Sequence, residues 1–205
     1  MVPAIILAAG ASSRMGRPKA LLLDESGRPF VARLARTLLD GGAADVIVVV
    51  APSTETAIGE ALSGASVPSR LVVNPDASRG QLSSILTGLA VADCPGVHAV
   101  LVHLVDEPFV NPDTVRRVLE TYRTSGAAVI RPKVGDRHGH PVLFDRRVFE
   151  DLRRVDPSVG ARAVVRAHLT DGASVVVDDE GAVTDIDTPE DYERVVGRPL
   201  PEAGH

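Results

Sequence analysis

The sequence predicts an α/β chain, a doubly wound, mostly parallel sheet with helices on both faces. Three observations carry this reading. Apolar runs of strand length alternate with amphipathic stretches of helix length from Ala4 to Ser125. The runs are rich in Val, Ile and Leu, as strands covered on both faces are. Hydrophobic residues are 44% of the 205 while aromatics are 3%, so the core must be aliphatic.

Residues 4–9 read as the first strand, and residues 30–39 as a helix with Leu34, Leu38 and Leu39 on one side. Residues 45–51 are a second strand, 55–62 a helix and 70–74 a short strand. A helix over 82–92 precedes a long apolar strand over 97–105, which ends at Asp106. Pro112 opens a helix to about residue 125, at a position where proline is tolerated. Right-handed crossovers follow from this order. After Gly126 the pattern changes, with short strands over 128–131 and 141–144 flanking a polar loop at 133–140. Helices over 147–154 and 160–168 precede strands over 174–177 and 183–186, and Pro189 opens a last helix to Val196. With no repeat and no low-complexity linker, residues 1–197 read as one domain and 198–205 as a flexible tail.

A net charge of −5 argues against a nucleic-acid partner, since such proteins carry a basic excess. The lone cysteine, Cys94, cannot make an internal disulfide and suits a reducing cytoplasm. No leader and no apolar run near membrane length is evident, so a cytoplasmic chain without membrane contact is expected.

The first strand ends in Gly10, and a loop of small residues then carries Arg14, Gly16, Pro18 and Lys19. Such a loop offers backbone N–H groups to an anion, and two cations flank it. It is not a Walker A loop: five residues separate Gly10 from Gly16, and Ala20 follows Lys19 where a hydroxyl would be needed. Nor is it a dinucleotide fingerprint, because Ser12 stands where the second glycine belongs. Ligands of open parallel sheets bind outside the carboxyl ends of strands. Asp106 ends one strand and Asp187 another, and two carboxylates so placed suit magnesium bound to phosphates. From spacing alone, Asp187 reads equally as part of the helix start Asp187-Thr188-Pro189-Glu190, with Thr188 as its cap. Residues 74–89 form a turn at Gly80 leading through Gln81, Ser83 and Ser84 into a helix, groups able to read a base edge or simply to cap that helix. His138 and His140 form an H-x-H pair without a nearby third metal ligand. His103, inside an apolar strand, reads as a satisfied core histidine.

The stretch LAAG followed by Arg14-Met15-Gly16 and Lys19 resembles the signature of small nucleotidyltransferases nearly residue for residue. Four motifs occur in the expected order between residues 5 and 195, and the chain is similar to the MobA-like nucleotidyltransferases. It is closer to their molybdenum cofactor cytidylyltransferase branch, on LAAG rather than LAGG at residues 7–10, on Gly139-His140-Pro141, and on GARAVVRAH at residues 160–168. The resemblance implies a Rossmann-like nucleotidyltransferase fold with a small β excursion for the acceptor. It implies transfer of a nucleotidyl group from a nucleoside triphosphate, CTP in this branch, to molybdopterin, with release of pyrophosphate. It implies catalytic Arg14, Lys19 and Asp106, and Mg2+ on Asp106 and Asp187 with Asp185 in support. The nucleotide would lie on Leu7, Ala8, Ala9, Gly10, Arg14, Lys19, Gly80 and Ser84, and the acceptor on His140, Arg137 and Lys133, with Arg131 adding charge. Transient contact with a molybdoenzyme chaperone belongs to the same expectation. Around the metal aspartate the chain reads HLVDEPF, where the branch has a smaller residue before the Asp and Gln or Met after it. Glu107 would therefore join the metal shell or repel an anionic acceptor. A sugar- or alditol-phosphate acceptor, a guanylyltransferase and a non-catalytic nucleotide-binding module stand as alternatives.

Overall fold

Strands form where both faces of a run must be covered. Every residue of β1 (Ala4–Leu7) and β2 (Val46–Val50) is buried, as are the first five of β4 (Ala99–Leu104). The structure, a computed structural model, describes residues 1–201. In it β1 lies between β2 and β4, parallel to both, and β2 pairs with β3 (Arg70–Val73), also parallel. The strand order therefore switches between β1 and β4, and their carboxyl ends deliver Gly10 and Asp106 side by side.

Beyond β4 the sheet reverses. β7 (Val142–Asp145) runs antiparallel to β4 and to β5 (Val129–Val134). A hairpin of β5 with β6 (Arg137–His138) and a parallel strand, β8 (Ala173–Val176), complete that half. The stretch 133–140, expected as a polar loop, is thus partly strand: Lys133 pairs with His138 and Val134 with Arg137.

Alternate strand residues bury opposite helix layers. Ile6, Val48 and Leu101 pack with α1 (Phe30–Asp40), α2 (Glu55–Gly64) and α4 (Pro112–Ser125). Ile5, Ile47, Val49 and Val100 pack with α3 (Gln81–Ala92), α5 (Phe149–Arg154) and α6 (Ala161–Ala167). A third cluster joins Met15, Leu22 and Phe30 to Ile186, Tyr192 and Val196, the last two on α7 (Pro189–Val196).

One expected strand is absent. Residues 183–186 pair with no strand; they follow a 3-10 turn at Glu180–Ala182, and Ile186 sits fully buried as a plug in the third cluster. Their apolar character serves that plug rather than a ladder. At the carboxyl end Gly197 closes α7 in the left-handed conformation and Arg198 donates to the Asp24 carbonyl at 2.6 Å. Of the expected tail, residues 202–205 lie outside the described residues. No helix among the described residues is long and apolar enough to cross a membrane.

The seat of α3 depends on one glycine. A Cβ on Gly88 would stand 2.5 Å from Ile5 Cγ2 and 3.0 Å from Val49 Cγ2, so the helix rests directly on β1 and β2. This close approach fixes how far the amino end of α3 projects beyond the sheet. We expect Gly88→Ala to destabilise the chain by about 1–3 kcal/mol, as overpacking a filled core does, measured by urea denaturation.

Candidate active site

The loop after β1 is shaped by local contacts before any ligand enters. Ser12 holds φ +49° and Gly16 φ +66°, both in the left-handed region that folds the backbone back on itself. The Ser12 hydroxyl accepts the Lys19 N–H at 3.1 Å, and Met15 is buried in the third cluster. Met15 thus anchors the loop from within while its neighbour Arg14 stays two-thirds exposed.

Lys19 is nearly buried, and its ammonium lies 3.0 Å from Asp106 Oδ2 and 2.5 Å from Asp187 Oδ1. Arg14 Nη2 takes the other Asp187 oxygen at 2.8 Å. Two cations and two carboxylates therefore balance in one cluster. Burial works against the Lys19 charge, but the hydrogen bond to Asp187 and the field of Asp106 outweigh it and raise the lysine above its ordinary value. The hydrogen bond from Lys19, helped by Arg14, holds the Asp187 carboxyl below its usual range against a smaller effect of burial.

Asp187 reaches this cluster on a strap, not on the strand expected from the sequence. Ile186 N–H donates to the Asp106 carbonyl at 2.9 Å, which sets the two aspartates side by side. Behind them Thr188 caps α7 in a reciprocal box with Asp191, so the helix-start reading of Thr188 holds while Asp187 is free for the cluster. Upstream, buried Asp179 accepts from Asn111 N–H at 2.9 Å, Asn111 Nδ2 at 2.8 Å and Thr114 Oγ1 at 2.6 Å, pinning the strap to the amino end of α4. Gly181 lies so close to the Phe109 carbonyl that a side chain there would overlap it.

A cavity of about 360 Å³ opens over this cluster. Leu7, Ala8, Ala9, Gly10, Arg14, Lys19, Gly80, Ser84, Asp106 and Asp187 all line it. Gly80, at φ +96°, turns the chain into α3, and Asn74 Nδ2 donates to the Ser84 hydroxyl at 3.0 Å, leaving that hydroxyl its own proton to give. Small residues at 8–13 leave room beside the backbone, as an anion-binding loop requires.

A second cavity of about 340 Å³ adjoins the first, sharing Gln81 and Leu104. Its floor includes Ile85, Val102, Val142, Phe144 and Val165, and its rim carries Arg131, Arg162, Arg166, His138 and His140. Of the residues expected to face an acceptor, His140 and Arg131 line this cavity. Lys133 and Arg137 do not: Lys133 lies 3.5 Å from Asp136, and Arg137 pairs with Glu180 at 2.5 Å. Arg162 and Arg166 were not picked out in the sequence, although their i, i+4 spacing places both on one face of α6.

Glu107 makes a contact that the sequence did not suggest. Its carboxylate is buried and Oε1 takes His140 Nδ1 at 2.8 Å. Burial pushes this carboxyl up, and the hydrogen bond from His140 with the charges of His140 and His103 pulls it below its ordinary value. Asp185 is pushed up to about 6, first by burial of its carboxyl and then by the nearby Glu107, Asp106 and Asp187. His103 is fully buried and depressed to about 4 by that burial; Nδ1 meets the Leu104 carbonyl at 2.9 Å, but Nε2 has no partner, so it is only half satisfied. His138 Nε2 lies 3.0 Å from the Ser174 hydroxyl, apart from His140.

Asp106 and Asp187 converge from two sides on one cationic nitrogen, so the pair can share a small cation. Their hard oxygen donors fit Mg2+, which takes few carboxylates and completes its octahedron with water and phosphate oxygens. Among the described residues no group of three or more His, Cys, Asp or Glu is disposed to hold a metal without such help.

Residues 4–173 match the model of the MobA-like NTP transferase domain. The chain belongs to this family. Relatives within reach of it carry different activities in their names. A protein called nicotine blue oxidoreductase from Paenarthrobacter nicotinovorans is 34% identical over 95% of this chain and 96% of its own length. A probable molybdenum cofactor guanylyltransferase from Natronomonas pharaonis is 29% identical over 93% of this chain and 94% of its own. The solved structure of a nucleotidyl transferase from Methanothermobacter superposes with a TM-score of 0.79 at 25% identity, covering 96% of each chain. The family is one of nucleotidyltransferases, and its mostly parallel sheet with helices on both faces is the fold seen here.

The strap is the least regular part of the site and hangs on one buried carboxylate. Asp179→Ala strands three donors at the start of α4 and should cost about 3 kcal/mol, read as a lowered denaturation midpoint with unchanged m-value.

Proposed function

We propose that this member of the family moves a cytidylyl group from CTP to a phosphorylated acceptor of the molybdopterin type and releases pyrophosphate, with Mg2+ on Asp106 and Asp187. The observation that carries the reading is the meeting of two cavities at Gln81 and Leu104, beside Asp106. The first has the cations, backbone donors and carboxylates a triphosphate and its metal require. The second has an apolar floor for a flat ring system and guanidinium groups for its anions. Ala9, where LAGG has a glycine, supports the cytosine assignment through the resemblance already drawn.

In the free protein Arg14 and Lys19 spend their charge on Asp187 and Asp106. A triphosphate would draw both cations onto phosphate oxygens and leave the two carboxylates to the metal. Mg2+, when bound there, would neutralise phosphate charge and polarise the α-phosphoryl group. Lys19, held by the loop and nearly buried, stabilises charge at the α-phosphate; Arg14, exposed at the rim of the cavity, stabilises the leaving pyrophosphate. The reaction needs little covalent help beyond in-line positioning and charge neutralisation. An acceptor phosphate oxygen bonds to the α-phosphorus as the bond to pyrophosphate breaks.

Two relatives favour other readings of the same cleft. The guanylyltransferase name favours GTP as donor, and the nicotine blue oxidoreductase name favours redox chemistry. Pyrophosphate release from each of the four nucleoside triphosphates, with Mg2+ and with molybdopterin or a sugar phosphate, separates them. CTP-selective release that depends on molybdopterin is the expected result. GTP selectivity moves the assignment to a guanylyltransferase, sugar-phosphate dependence moves the acceptor, and no release with any pair defeats nucleotidyl transfer.

Chelation of divalent ions should abolish turnover and added Mg2+ should restore it. Lys19→Ala and Asp106→Ala should each lower the rate by about 10²–10³-fold, as loss of a transition-state charge does, while circular dichroism shows a folded chain. A wild-type rate in either variant contradicts the roles given to these residues.

A further inference from the structure

Glu107 is, with Val105, one of two residues flanking Asp106 at which the chain leaves its branch's pattern, and its buried carboxylate faces His140 and Asp185. The buried Oε1 faces His140 Nδ1 at 2.8 Å, across 33 residues of sequence. His140 is fixed in three further ways. Its own N–H donates to the Ala182 carbonyl at 2.9 Å, and Gly139 beside it lies so close to that carbonyl that any side chain would overlap it. The His103 ring packs against the His140 ring with centroids 5.8 Å apart. The imidazole lines the second cavity, and its Nε2 makes no hydrogen bond with the described residues. A carboxylate on Nδ1 fixes the tautomer with the proton on Nδ1 and leaves the Nε2 lone pair facing the cavity.

We propose that Glu107 positions His140 as the proton acceptor for the attacking group of the acceptor substrate. This rests on the nucleotidyl-transfer reading above. An acceptor phosphate with a second pKa near 6 carries a proton on its oxygen for part of the time. As that oxygen bonds to the α-phosphorus, its O–H electron pair becomes the attacking pair and the proton passes to His140 Nε2. The bond from the α-phosphorus to pyrophosphate breaks with its electrons, and His140 later returns the proton to water. Lys19, Asp106 and Asp187 handle phosphate charge; the dyad handles the proton. The arrangement follows a general rule for oriented bases, in which a buried carboxylate holds the ring and the ring does the transfer.

The test begins with a measurement that needs no turnover. In histidine 15N spectra of the wild-type protein at pH 8, His140 should show a protonated Nδ1 and an unprotonated Nε2, and Glu107→Gln should disturb that assignment. The opposite tautomer in the wild type overturns the dyad, whatever reaction the protein catalyses. In turnover, His140→Ala should lower kcat about 10²–10⁴-fold with the KM for the nucleotide unchanged, and added imidazole should restore part of the loss. Glu107→Gln should lose about 10–100-fold in kcat, the usual effect of removing an orienting partner. A loss in His140→Ala that imidazole does not relieve, or a wild-type kcat in Glu107→Gln, overturns the proposal. Failure of the wild type to release pyrophosphate defeats the underlying reaction instead, and the spectra then decide the dyad by themselves.

Discussion

A nearly buried ammonium cannot stand without anions, and Lys19 finds two. Asp106 arrives from the sheet and Asp187 from a strap near the end of the chain, 87 and 168 residues away. Neither carboxylate would sit so near the other without the cation between them, because like charges at that range repel. The Lys19 ammonium therefore decides where the last quarter of the chain meets the first. Every other contact of the cluster is arranged around it, from the Ser12 hydroxyl on its own backbone N–H to Arg14 on the far oxygen of Asp187.

The strap shows how irregular chain is made rigid without a ladder. Its backbone is tied at Ile186 to Asp106, its polar anchor Asp179 satisfies three donors of another element, and its plug Ile186 fills the same cluster as Met15 of the first loop. Tyr192 extends the tie, giving its hydroxyl proton to the Leu23 carbonyl at 2.7 Å. Glycines at 139 and 181 allow the backbones to touch where a side chain would keep them apart. Buried polar groups with full sets of partners make such a segment specific as well as stable.

The parts legible in the sequence were those governed by local rules. VIVVV at residues 46–50 could only be a strand covered on both sides, and the alternation of runs and amphipathic stretches carried the doubly wound, mostly parallel sheet. Gly10, Lys19 and Asp106 were legible because small-residue loops and carboxylates at strand ends have a common use; the cavity gathers them with Asp187, which was picked out at the end of a strand that the chain does not form. What failed depended on distant partners. Residues 183–186 are apolar for a plug, and periodicity does not distinguish a plug from a strand. Arg137 advertised charge, but Glu180, 43 residues on, absorbs it. The contact of Glu107 could not be read until His140, just ahead of β7, was placed against it.

The reversed strand β7 has an effect that reaches beyond geometry. It divides the sheet into two territories, each with its own cavity and its own stretch of chain. Residues 7–20 and 77–84, with the end of β4, enclose one, while 131–144 and 161–166 enclose most of the other. Among the described residues only Gln81 and Leu104 belong to both. A lineage can therefore rewrite the second territory, in charge or in shape, while the first keeps its residues. Family members that bear unrelated activities in their names are the expected fruit of that partition.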